Sequence, residues 1–255
     1  MKTAILIPAR FGSTRLPGKP LLRATGKYLI QHVYEQASLA RRAQIVAVAT
    51  DDDRIAAAVR SFGGQALMTR PDHPSGTDRI AEAVAGLDAD LVVNLQGDEP
   101  RIEPDALDFA VELLQRHPAA AMSTLATPLT SLEQYQSPHC VKVAIGDAGQ
   151  ALYFSRSPIP HVRDGQPDFE RQPFLFFQHV GLYAYRRPFL QRLARLPASP
   201  LEQAEKLEQL RVLSLGERIQ VGVIPAAHPG IDTPEDYDRF VAWYQARSTD
   251  QRRAG

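Results

Sequence analysis

The sequence has little cysteine, no excess of either charge and no long apolar run, and each shortage excludes a class of protein. A single cysteine, Cys140, excludes an internal disulfide framework and is typical of a reducing compartment. Lys plus Arg and Asp plus Glu both number 29, so the basic excess of a nucleic-acid-binding protein is missing. No apolar run approaches the roughly 20 residues of a membrane-spanning helix, and no signal peptide is recognisable. We therefore expect a cytoplasmic protein that binds neither nucleic acid nor membrane.

Several common catalytic motifs are also missing. Gly12 and Gly18 have five residues between them and Lys19 precedes Pro20, so the Walker A pattern of a P-loop ATPase is not met. The chain has no GxGxxG fingerprint of a dinucleotide-binding protein and no GxSxG turn of a serine hydrolase. Its seven histidines show neither HxH nor HExxH spacing, so no zinc site is indicated.

What the sequence does contain is a cationic loop directly after its first apolar run. Residues 4–7 predict a buried strand that ends at Pro8. The loop after it contains two glycines and the cations Arg10, Arg15 and Lys19. Loops at the carboxyl end of the first strand in an open α/β sheet bind ligands, and glycines let backbone N–H groups approach an anion. The loop therefore predicts a polyphosphate site, with a solvated basic loop as the alternative.

Hydrophobic periodicity predicts an α/β fold for the first half of the chain. The predicted strands are 4–7, 45–49, 66–68 and 91–95, and the predicted helices are 28–40, 51–62, 77–84 and 103–115. Thr77 is predicted to cap the third of these helices. Strands that alternate with helices predict a parallel sheet covered on both faces.

After residue 122 the pattern changes to short strands. The predicted strands are 122–126, 141–145, 151–155, 174–185 and 219–224, with helices at 201–210 and 233–244 and a loop at 159–173. Thr233 is predicted to cap the closing helix, with Pro234 at its first position. The 255 residues are enough for one large α/β domain with a full core, and no linker or repeat divides them.

One aspartate, Asp98, is a candidate magnesium ligand from its place in the sequence. Asp98 follows the strand at 91–95 and is expected at the same sheet edge as the cationic loop. Magnesium takes one or two carboxylates together with phosphate oxygens, so an acid beside a polyphosphate site suits it. Glu99 is the competing choice, and a turn-capping role for Asp98 is the structural alternative. Asp232, taken alone, is only a carboxylate near a helix start.

Other polar residues are weaker candidates. Ser75 and Gly76 precede a helix N-terminus, where free N–H groups bind polar ligands, and Gln96 offers an amide at a strand end. Arg156 follows a strand and is suited to a bidentate contact with a carboxylate. Four polar residues stand among apolar neighbours, where a structural role is equally expected: His179, Tyr183, Glu208 and Gln209.

Seven ordered blocks of the sequence resemble one enzyme family. They are IPARFGSTRLPGKPL, RPDHPSGTDRIAEA, VVNLQGDEP, ALYFSRSPIP, QHVGLYAYRRPFL, SPLEQAEKLEQLRVL and GIDTPEDYDR. From residue 3 to about residue 240 they resemble the 3-deoxy-manno-octulosonate (Kdo) cytidylyltransferases of lipopolysaccharide synthesis. The sequence departs from that pattern at Tyr28, where proline is expected, and at His161, where an aromatic residue is usual.

The resemblance implies a fold and an organisation. The fold is α/β of the nucleotide-diphospho-sugar transferase type, a mixed, mostly parallel sheet with helices on both faces and a smaller β-rich region for sugar binding and dimerisation. One nucleotidyltransferase domain is expected over residues 1–245. Its nucleotide-binding part is expected at about 1–120, its sugar-binding and dimerisation part at about 121–215 and its closing strand and helix at 216–245. A frayed tail is expected at 246–255, and the protein is expected to be a homodimer.

The resemblance also implies a role for each candidate residue. The catalytic residues would be Arg10, Arg15, Lys19 and Asp98. The residues that bind CTP would be Ala9, Arg10, Arg15, Lys19, Arg70, Ser75, Gly76 and Gln96. The residues that bind Kdo would be Gln96, Arg156, His179, Tyr183, Glu208 and Gln209. Asp98 and Asp232 would hold the cofactor, Mg²⁺.

The implied reaction is attack of the anomeric hydroxyl of the sugar on the α-phosphorus of CTP, with pyrophosphate leaving. Two alternatives stay open. The first is a cytidylyltransferase for another acidic sugar such as sialic acid, against which the blocks QHVGLYAYRR and LEQLRVL argue. The second is a non-catalytic nucleotide-binding module, which the presence of both Asp98 and Asp232 disfavours.

Overall fold

The computed structural model describes residues 1–12 and 15–254, with side chains through residue 247. The chain divides into two compact units, each assembled from distant segments. The N-terminal unit consists of Lys2–Ala89, Asn94–Pro104 and the residues from His228 onward. The central unit consists of Met1, Asp90–Val93 and Asp105–Ala227.

Strands and helices alternate through the first half of the described chain. The strands are β1 (Thr3–Ala9), β2 (Ile45–Thr50), β3 (Ala66–Met68), β4 (Leu91–Asn94), β5 (Ala120–Pro128), β6 (Lys142–Ile145), β7 (Ala151–Ser155), β8 (Phe177–Arg186) and β9 (Arg218–Val223). The helices are α1 (Leu29–Ser38), α2 (Asp53–Ser61), α3 (Gly76–Ala83), α4 (Pro104–Arg116), α5 (Leu132–Gln136), α6 (Arg187–Leu193), α7 (Pro200–Glu205), α8 (Gln209–Ser214) and α9 (Pro234–Ala254). Short 3-10 helices lie at Lys19–Leu21 and Val84–Gly86.

In the N-terminal unit the strands are parallel, as predicted. β1 pairs with β2, beginning with Ala4 opposite Ile45, and β2 pairs with β3. Most of β1 is buried, which explains its continuous apolar sequence. The carboxyl ends of these strands therefore lie together and carry the loops after Ala9 and Thr50.

Helix α3 begins earlier than its sequence suggested. Ser75, not Thr77, is the capping residue, because its side chain accepts the N–H of Asp78 at 3.2 Å. Thr77 lies inside the helix, where its buried hydroxyl accepts the side-chain amide of Asn94 at 3.2 Å. Ser, Thr and Asp all cap helices well, so two candidates this close together cannot be separated by residue type.

The central unit contains a mixed sheet. β5 runs antiparallel to β8 and parallel to β9, and β6 pairs antiparallel with β7 and β8. This mixture matches the change of pattern predicted after residue 122, and it confirms a mixed α/β fold. The segment 156–176 contains neither helix nor strand, so the loop predicted at 159–173 is confirmed as irregular backbone.

The helix predicted at 201–210 is instead two short helices. Lys206 has a φ of 55° and ends α7, whose N-terminus is capped reciprocally by Ser199 and Glu202. Only the second half of the apolar series is buried, since Leu207 and Leu210 are buried whereas Leu201 in α7 is 43% exposed. α5 and α6, of five and seven residues, were not predicted.

The closing helix begins as predicted and ends much later. Pro234 is its first residue, and the Thr233 hydroxyl accepts the Asp236 N–H at 3.2 Å. α9 runs to Ala254, and Gly255 lies outside the described residues, so the fraying expected at 246–255 stays a prediction. The segment lacks glycine and proline before its last residue, so nothing local stops the helix. In the part of the chain that the structure describes, no helix has the length and apolar character needed to cross a membrane.

Candidate active site

The strongest polar cluster of the N-terminal unit forms around Lys19. Its ammonium donates to Asp98 Oδ2 at 2.7 Å, to the Ile231 carbonyl at 2.8 Å and to Asp232 Oδ1 at 3.3 Å. Arg15 Nη2 lies 3.1 Å from the other carboxylate oxygen of Asp232. The Lys19 side chain is only 14% exposed, so these contacts are partly shielded from water. Residues separated by more than 200 positions therefore meet at one point, as the predicted site requires.

The segment after β4 is held against β1 by its backbone. The Leu95 N–H donates to the Leu6 carbonyl at 3.1 Å. At Gly97 a Cβ atom would lie 3.1 Å from the Pro8 carbonyl oxygen, so only glycine lets the chain pass this closely. Asp98 then accepts the Ile231 N–H on its own carbonyl at 2.9 Å, which fixes the segment that carries Asp232.

Glu99, the competing metal ligand, is in a different environment. Burial first, and then the charges of Asp98 and Asp232, raise the pKa of Glu99 to about 7, although Lys19 opposes them. A Cβ atom built on Gly230 would lie 3.4 Å from Glu99 Oε1, so this carboxyl faces the chain near Gly230. Asp98 Cγ would lie 3.7 Å from the same Cβ position, so the two carboxyls lie near each other, and Lys19 contacts the carboxylate of Asp98.

The cationic loop is shaped by a glycine and an aromatic ring. Gly18 has a φ of 66°, and its N–H donates to the Phe11 carbonyl at 3.3 Å. A Cβ on Gly18 would lie 3.2 Å from the Phe11 ring, so both the conformation and the contact favour glycine. The Arg54 guanidinium lies 3.5 Å from the centre of the same ring, as in a cation–π contact. Lys19 follows at the start of a 3-10 helix, which orients its side chain toward Asp98.

Asp98 and Asp232 suit a magnesium ion by their chemistry. Among the described residues no group of three or more His, Cys, Asp or Glu side chains could hold a metal alone. Magnesium is commonly held by one or two carboxylates together with substrate phosphates, so two aspartates beside three cations fit that use. A self-sufficient protein cage for zinc or calcium does not fit this donor set.

Two adjoining cavities of the N-terminal unit share part of their walls. The larger has a volume of about 250 Å³ and is lined by Pro8, Ala9, Arg10, Arg15, Lys19, Pro20, Gln96, Gly97, Asp98 and Asp232. The smaller has a volume of about 190 Å³ and is lined by Pro8, Ala9, Arg10, His73, Pro74, Ser75, Gly76, Arg79 and Gln96. Because Ala9, Arg10 and Gln96 line both, one extended ligand could occupy both cavities.

The smaller cavity contains two residues that sequence reasoning missed, His73 and Arg79. Arg79 is 5% exposed, and its guanidinium contacts Thr69 Oγ1 at 2.7 Å and Asp51 at 3.0 Å. His73 forms a short contact with Glu82 through Nε2. His73 lies in the block RPDHPSGTDR, beside the predicted Ser75, so its position in that loop was the available signal.

Arg70 differs from the other predicted nucleotide ligands. Its side chain is 67% exposed, and it pairs with Glu82 at 3.3 Å. It is not among the residues that line either cavity described above. Arg70 Nε and the Arg70 N–H both donate to Glu82, which also contacts His73. The structure therefore links Arg70 to the wall of the smaller cavity through Glu82.

In the central unit, three of the predicted sugar ligands form a buried group. The Tyr183 hydroxyl donates to Gln209 Oε1 at 3.2 Å, and the His179 ring lies 5.4 Å from that of Tyr183. His179 Nε2 is 2.9 Å from the Thr124 hydroxyl, and burial lowers the pKa of His179 to about 3. Burial and the neighbouring charge of Glu208 raise the pKa of Tyr183. All three side chains are therefore uncharged hydrogen-bonding groups near neutral pH.

Gln209 has a buried donor with no partner. Within the part of the chain that the structure describes, its Nε2 is buried without a hydrogen bond, although the residue is only 4% exposed. An orphaned buried donor is costly, so it calls for a ligand oxygen or a water molecule. Glu208 immediately precedes it and lies at the N-terminal end of α8.

Arg156 lies at the end of β7, where the sequence predicted it. Its Nε donates to the Glu205 carbonyl at 2.8 Å and its Nη1 to the Pro138 carbonyl at 3.0 Å. These bonds use the single N–H of Nε and one of the two N–H groups of Nη1. Among the described residues Nη2 has no hydrogen-bond partner, so both of its N–H groups are available to a ligand.

The N-terminal unit has the features of a nucleotide-binding α/β protein. A cationic, glycine-containing loop and two carboxylates lie at the carboxyl ends of parallel strands, where open α/β sheets bind ligands. The further identification comes from known proteins.

The sequence profile described as cytidylyltransferase matches residues 4–219. The 3-deoxy-manno-octulosonate cytidylyltransferase of Geobacter metallireducens is 50% identical over 246 residues, covering 94% of this chain and 97% of that relative. A solved CMP:2-keto-3-deoxy-manno-octonic acid synthetase in complex with CTP has a TM-score of 0.91 at 45% identity, covering 97% of this chain and 100% of its own. The chain belongs to the cytidylyltransferase family, among the 3-deoxy-manno-octulosonate cytidylyltransferases.

A more distant solved structure agrees in fold alone. The 4-diphosphocytidyl-2C-methyl-D-erythritol synthase of Anaerococcus prevotii has a TM-score of 0.62 at 14% identity, covering 96% of each chain. The predicted nucleotidyltransferase fold and the predicted enzyme class, a CTP-dependent nucleotidyltransferase, are both confirmed. The roles of the individual site residues stay predictions.

Proposed function

We infer that this protein transfers the cytidylyl group of CTP to 3-deoxy-manno-octulosonate, forming CMP-Kdo and pyrophosphate for lipopolysaccharide synthesis. The observation that carries this inference is the convergence of Arg15 and Lys19 with Asp98 and Asp232. Phosphoryl transfer needs positioning and charge neutralisation more than covalent chemistry, and this cluster supplies both signs of charge at one place. The names of relatives at about half identity support the choice of substrates.

The triphosphate of CTP would lie in the larger cavity, on Arg10, Arg15 and Lys19. Each phosphate oxygen there would meet a guanidinium or ammonium group, and charge-assisted hydrogen bonds of this kind are the strong ones. Holding the α-phosphorus still while the sugar hydroxyl approaches in line lowers the entropic part of the barrier. The sugar hydroxyl gives up its proton to water as its oxygen forms a bond to Pα, the bond from Pα to the bridging oxygen breaks, and pyrophosphate leaves.

Asp98 and Asp232 would hold the magnesium ion. When bound, the ion supplies neutralisation of phosphate charge and lowers the pKa of a coordinated hydroxyl. In the structure both carboxylates are already compensated by Lys19, which keeps them oriented toward the larger cavity. Lys19 therefore serves both the anionic substrate and the aspartates.

The cytidine would lie in the smaller cavity. Ser75 and Gly76 stand at the N-terminus of α3, and Gln96 and Ala9 line the wall between the cavities. A Cβ on Gly76 would lie 3.1 Å from the Pro8 ring, so the loop packs closely against the end of β1. Arg70 would contribute through the Glu82 link described above.

The acidic sugar would be bound by Arg156, His179, Tyr183, Glu208 and Gln209, together with Gln96. Neutral hydrogen-bonding groups such as Tyr183 and Gln209 suit sugar hydroxyls, and a site built to bind hydroxyls rejects analogues that lack them. The orphaned Nε2 of Gln209 supports a ligand at this place. Arg156 would meet the sugar carboxylate, which accounts for the choice of an anionic sugar.

The remaining parts of the proposal concern the whole molecule. We place the protein in the cytoplasm, as a homodimer, with residues 1–245 acting as one nucleotidyltransferase domain. The alternatives are a cytidylyltransferase for another acidic sugar, and a nucleotide-binding module without activity.

Pyrophosphate release tests the proposal directly. The purified protein is mixed with CTP and magnesium, and with Kdo or sialic acid in parallel reactions. Kdo should give turnover at least about 100-fold above sialic acid, since a mispaired polar site costs that much or more. Faster reaction with sialic acid would select the first alternative. Binding of CTP in calorimetry without turnover on either sugar would select the second.

A further inference from the structure

The backbone and side chain of Arg156 are held by one acidic residue, Glu205. Glu205 Oε2 accepts the Arg156 N–H at 2.9 Å, and the Glu205 carbonyl accepts Arg156 Nε at 2.8 Å. Glu205 Oε1 accepts the Ser155 hydroxyl at 2.6 Å, and Ser155 is 2% exposed. The same residue therefore determines both where Arg156 leaves β7 and how its guanidinium is turned.

The geometry of Glu205 depends on the break between α7 and α8. Lys206 adopts a left-handed conformation, uncommon for a residue with a side chain, and it ends α7 directly after Glu205. The Glu205 carbonyl thereby turns toward Arg156 instead of continuing the helix. Four residues later, Gln209 begins α8 and contacts Tyr183. The break thus links Arg156, through the chain, to the predicted sugar ligands Gln209 and Tyr183.

A buried lysine holds the other side of Arg156. Lys142 is fully buried, and its ammonium donates to the carbonyls of Ser137, Cys140 and Arg156 at 2.8, 2.7 and 2.6 Å. The pKa of Lys142 is lowered by burial. The turn it ties down includes Pro138, whose carbonyl accepts Arg156 Nη1. Burying an ammonium is costly, and here three carbonyls satisfy it.

We propose that Glu205 and Lys142 are positioning residues that hold the Arg156 guanidinium in register for the carboxylate of the acidic sugar. This rests on the proposed function, and it adds two residues that would not touch the substrate. Glu205 accepts the main-chain N–H of Arg156, and Lys142 donates to its main-chain carbonyl. Nη2, which has no hydrogen bond among the described residues, would remain available to the sugar carboxylate.

A purely structural role for Glu205 predicts something different, and α7 offers a matched control. Glu202, three residues earlier in α7, pairs with Arg211 in a bidentate contact at 2.6 and 2.7 Å. Glu202 also closes the cap with Ser199. Glu202→Gln therefore disturbs α7 and α8 by the same chemical change without touching Arg156. Glu205→Gln removes the charge of the carboxylate that accepts the Arg156 main-chain N–H and the Ser155 hydroxyl.

The test measures pyrophosphate release while Kdo and CTP are varied in turn, with the melting temperature recorded for each variant. Glu205→Gln should raise KM for Kdo by about tenfold or more and leave KM for CTP within about twofold. Ser155→Ala, a milder change at the same carboxylate, should raise KM for Kdo by a smaller factor. Glu202→Gln should leave both KM values within about twofold, even where it lowers the melting temperature.

A second readout uses a Kdo analogue whose carboxylate is replaced by a carboxamide. The wild-type protein should prefer the acid strongly, and Glu205→Gln should lose most of that preference, because a misplaced guanidinium no longer distinguishes the two. The proposal is overturned if Glu205→Gln and Glu202→Gln change KM for Kdo equally, or if the preference for the acid survives in Glu205→Gln. No turnover of Kdo by the wild-type protein would instead refute the proposed function.

Discussion

The predicted ligands of the N-terminal unit differ in charge from a group of predicted ligands in the central unit. Around Lys19 the N-terminal unit gathers charged side chains of both signs, several of them partly open to solvent. In the central unit the predicted sugar ligands His179, Tyr183 and Gln209 are instead neutral, with His179 and Gln209 at 8% and 4% exposure. Charges are suited to a triphosphate, whose binding depends on neutralisation, whereas buried neutral donors and acceptors are suited to hydroxyl groups. The difference agrees with the proposed division between catalysis and sugar selection.

The largest effect is expected when the proposed metal ligand of the N-terminal unit is replaced. Asp98→Asn should lower magnesium-dependent turnover by about 10³-fold or more, because an amide is a poor ligand for magnesium and carries no charge. Pyrophosphate release at several magnesium concentrations measures this. Asp88→Asn, which removes an exposed acid paired with Lys2, is the control. A normal rate in Asp98→Asn would remove Asp98 from the site.

A slightly smaller loss is expected from the central cation of the cluster. Lys19→Ala should lower kcat by about 10²–10³-fold, the usual cost of removing a donor that stabilises developing charge. Its melting temperature should fall by about 10 °C or less, since hydrogen bonds of a charged, partly shielded group contribute about 1.5–3 kcal/mol.

Lys27→Ala is the control for Lys19→Ala, because Lys27 also pairs with an acid, Glu35, at 2.7 Å. It should leave kcat unchanged. If Lys19→Ala loses activity only in proportion to a large loss of stability, a catalytic role for Lys19 is contradicted.

In the central unit the effect should fall on sugar affinity. Tyr183→Phe removes the hydroxyl that contacts Gln209 and should raise KM for Kdo by about tenfold, with KM for CTP within about twofold. Tyr34→Phe, which removes a hydroxyl bonded to the Val46 carbonyl in the N-terminal unit, should change neither KM. Equal changes in KM for Kdo and KM for CTP in Tyr183→Phe would contradict the proposed division between the units.

The smallest effect concerns acid stability, which does not depend on either site. Burial lowers the pKa of His32 to about 4 from its ordinary value of 6.5, and His32 packs against Phe240 and Tyr244. Between these pH values His32 is therefore mostly protonated in the unfolded chain and mostly neutral in the folded chain. Stability from His32 is fully present above pH 6.5 and falls, by about 2 kcal/mol, as the pH drops to 4.

Denaturant unfolding of wild type and His32→Gln at pH 4 to 7.5 measures the His32 effect. The variant should show a flatter decline of the unfolding free energy on the acid side. Identical slopes in the two proteins would show that His32 is not the titrating group.

The comparison also separates what the sequence could predict from what it could not. Arg15, Lys19 and Asp98 stand in short motifs at strand ends, and parallel strands bring such ends together, so their meeting was predictable. Asp232 was ambiguous in isolation, because a helix start is a common place for an acid. Only the resemblance to known enzymes raised it, and the Lys19 contact agrees.

The central unit was less accessible to pattern reasoning. Tyr183 and Gln209 meet through a strand and a helix 26 residues apart, and no local pattern encodes that contact. The break at Lys206 was hidden by a continuous apolar series, because a left-handed residue has no sequence signature when it is not glycine. The burial of Lys142 could not be predicted either, because nothing in the sequence distinguishes a buried lysine from an exposed one.

The central claim is that the N-terminal cations and two distant aspartates bind one triphosphate and one ion. A crystal structure with CTP and manganese in place of magnesium tests it most directly, because the anomalous signal of manganese locates the ion. We predict a peak at about 2.1–2.2 Å from a carboxylate oxygen of both Asp98 and Asp232, with phosphate oxygens completing the shell. An ion that contacts neither aspartate, with the triphosphate away from Lys19, would contradict the account.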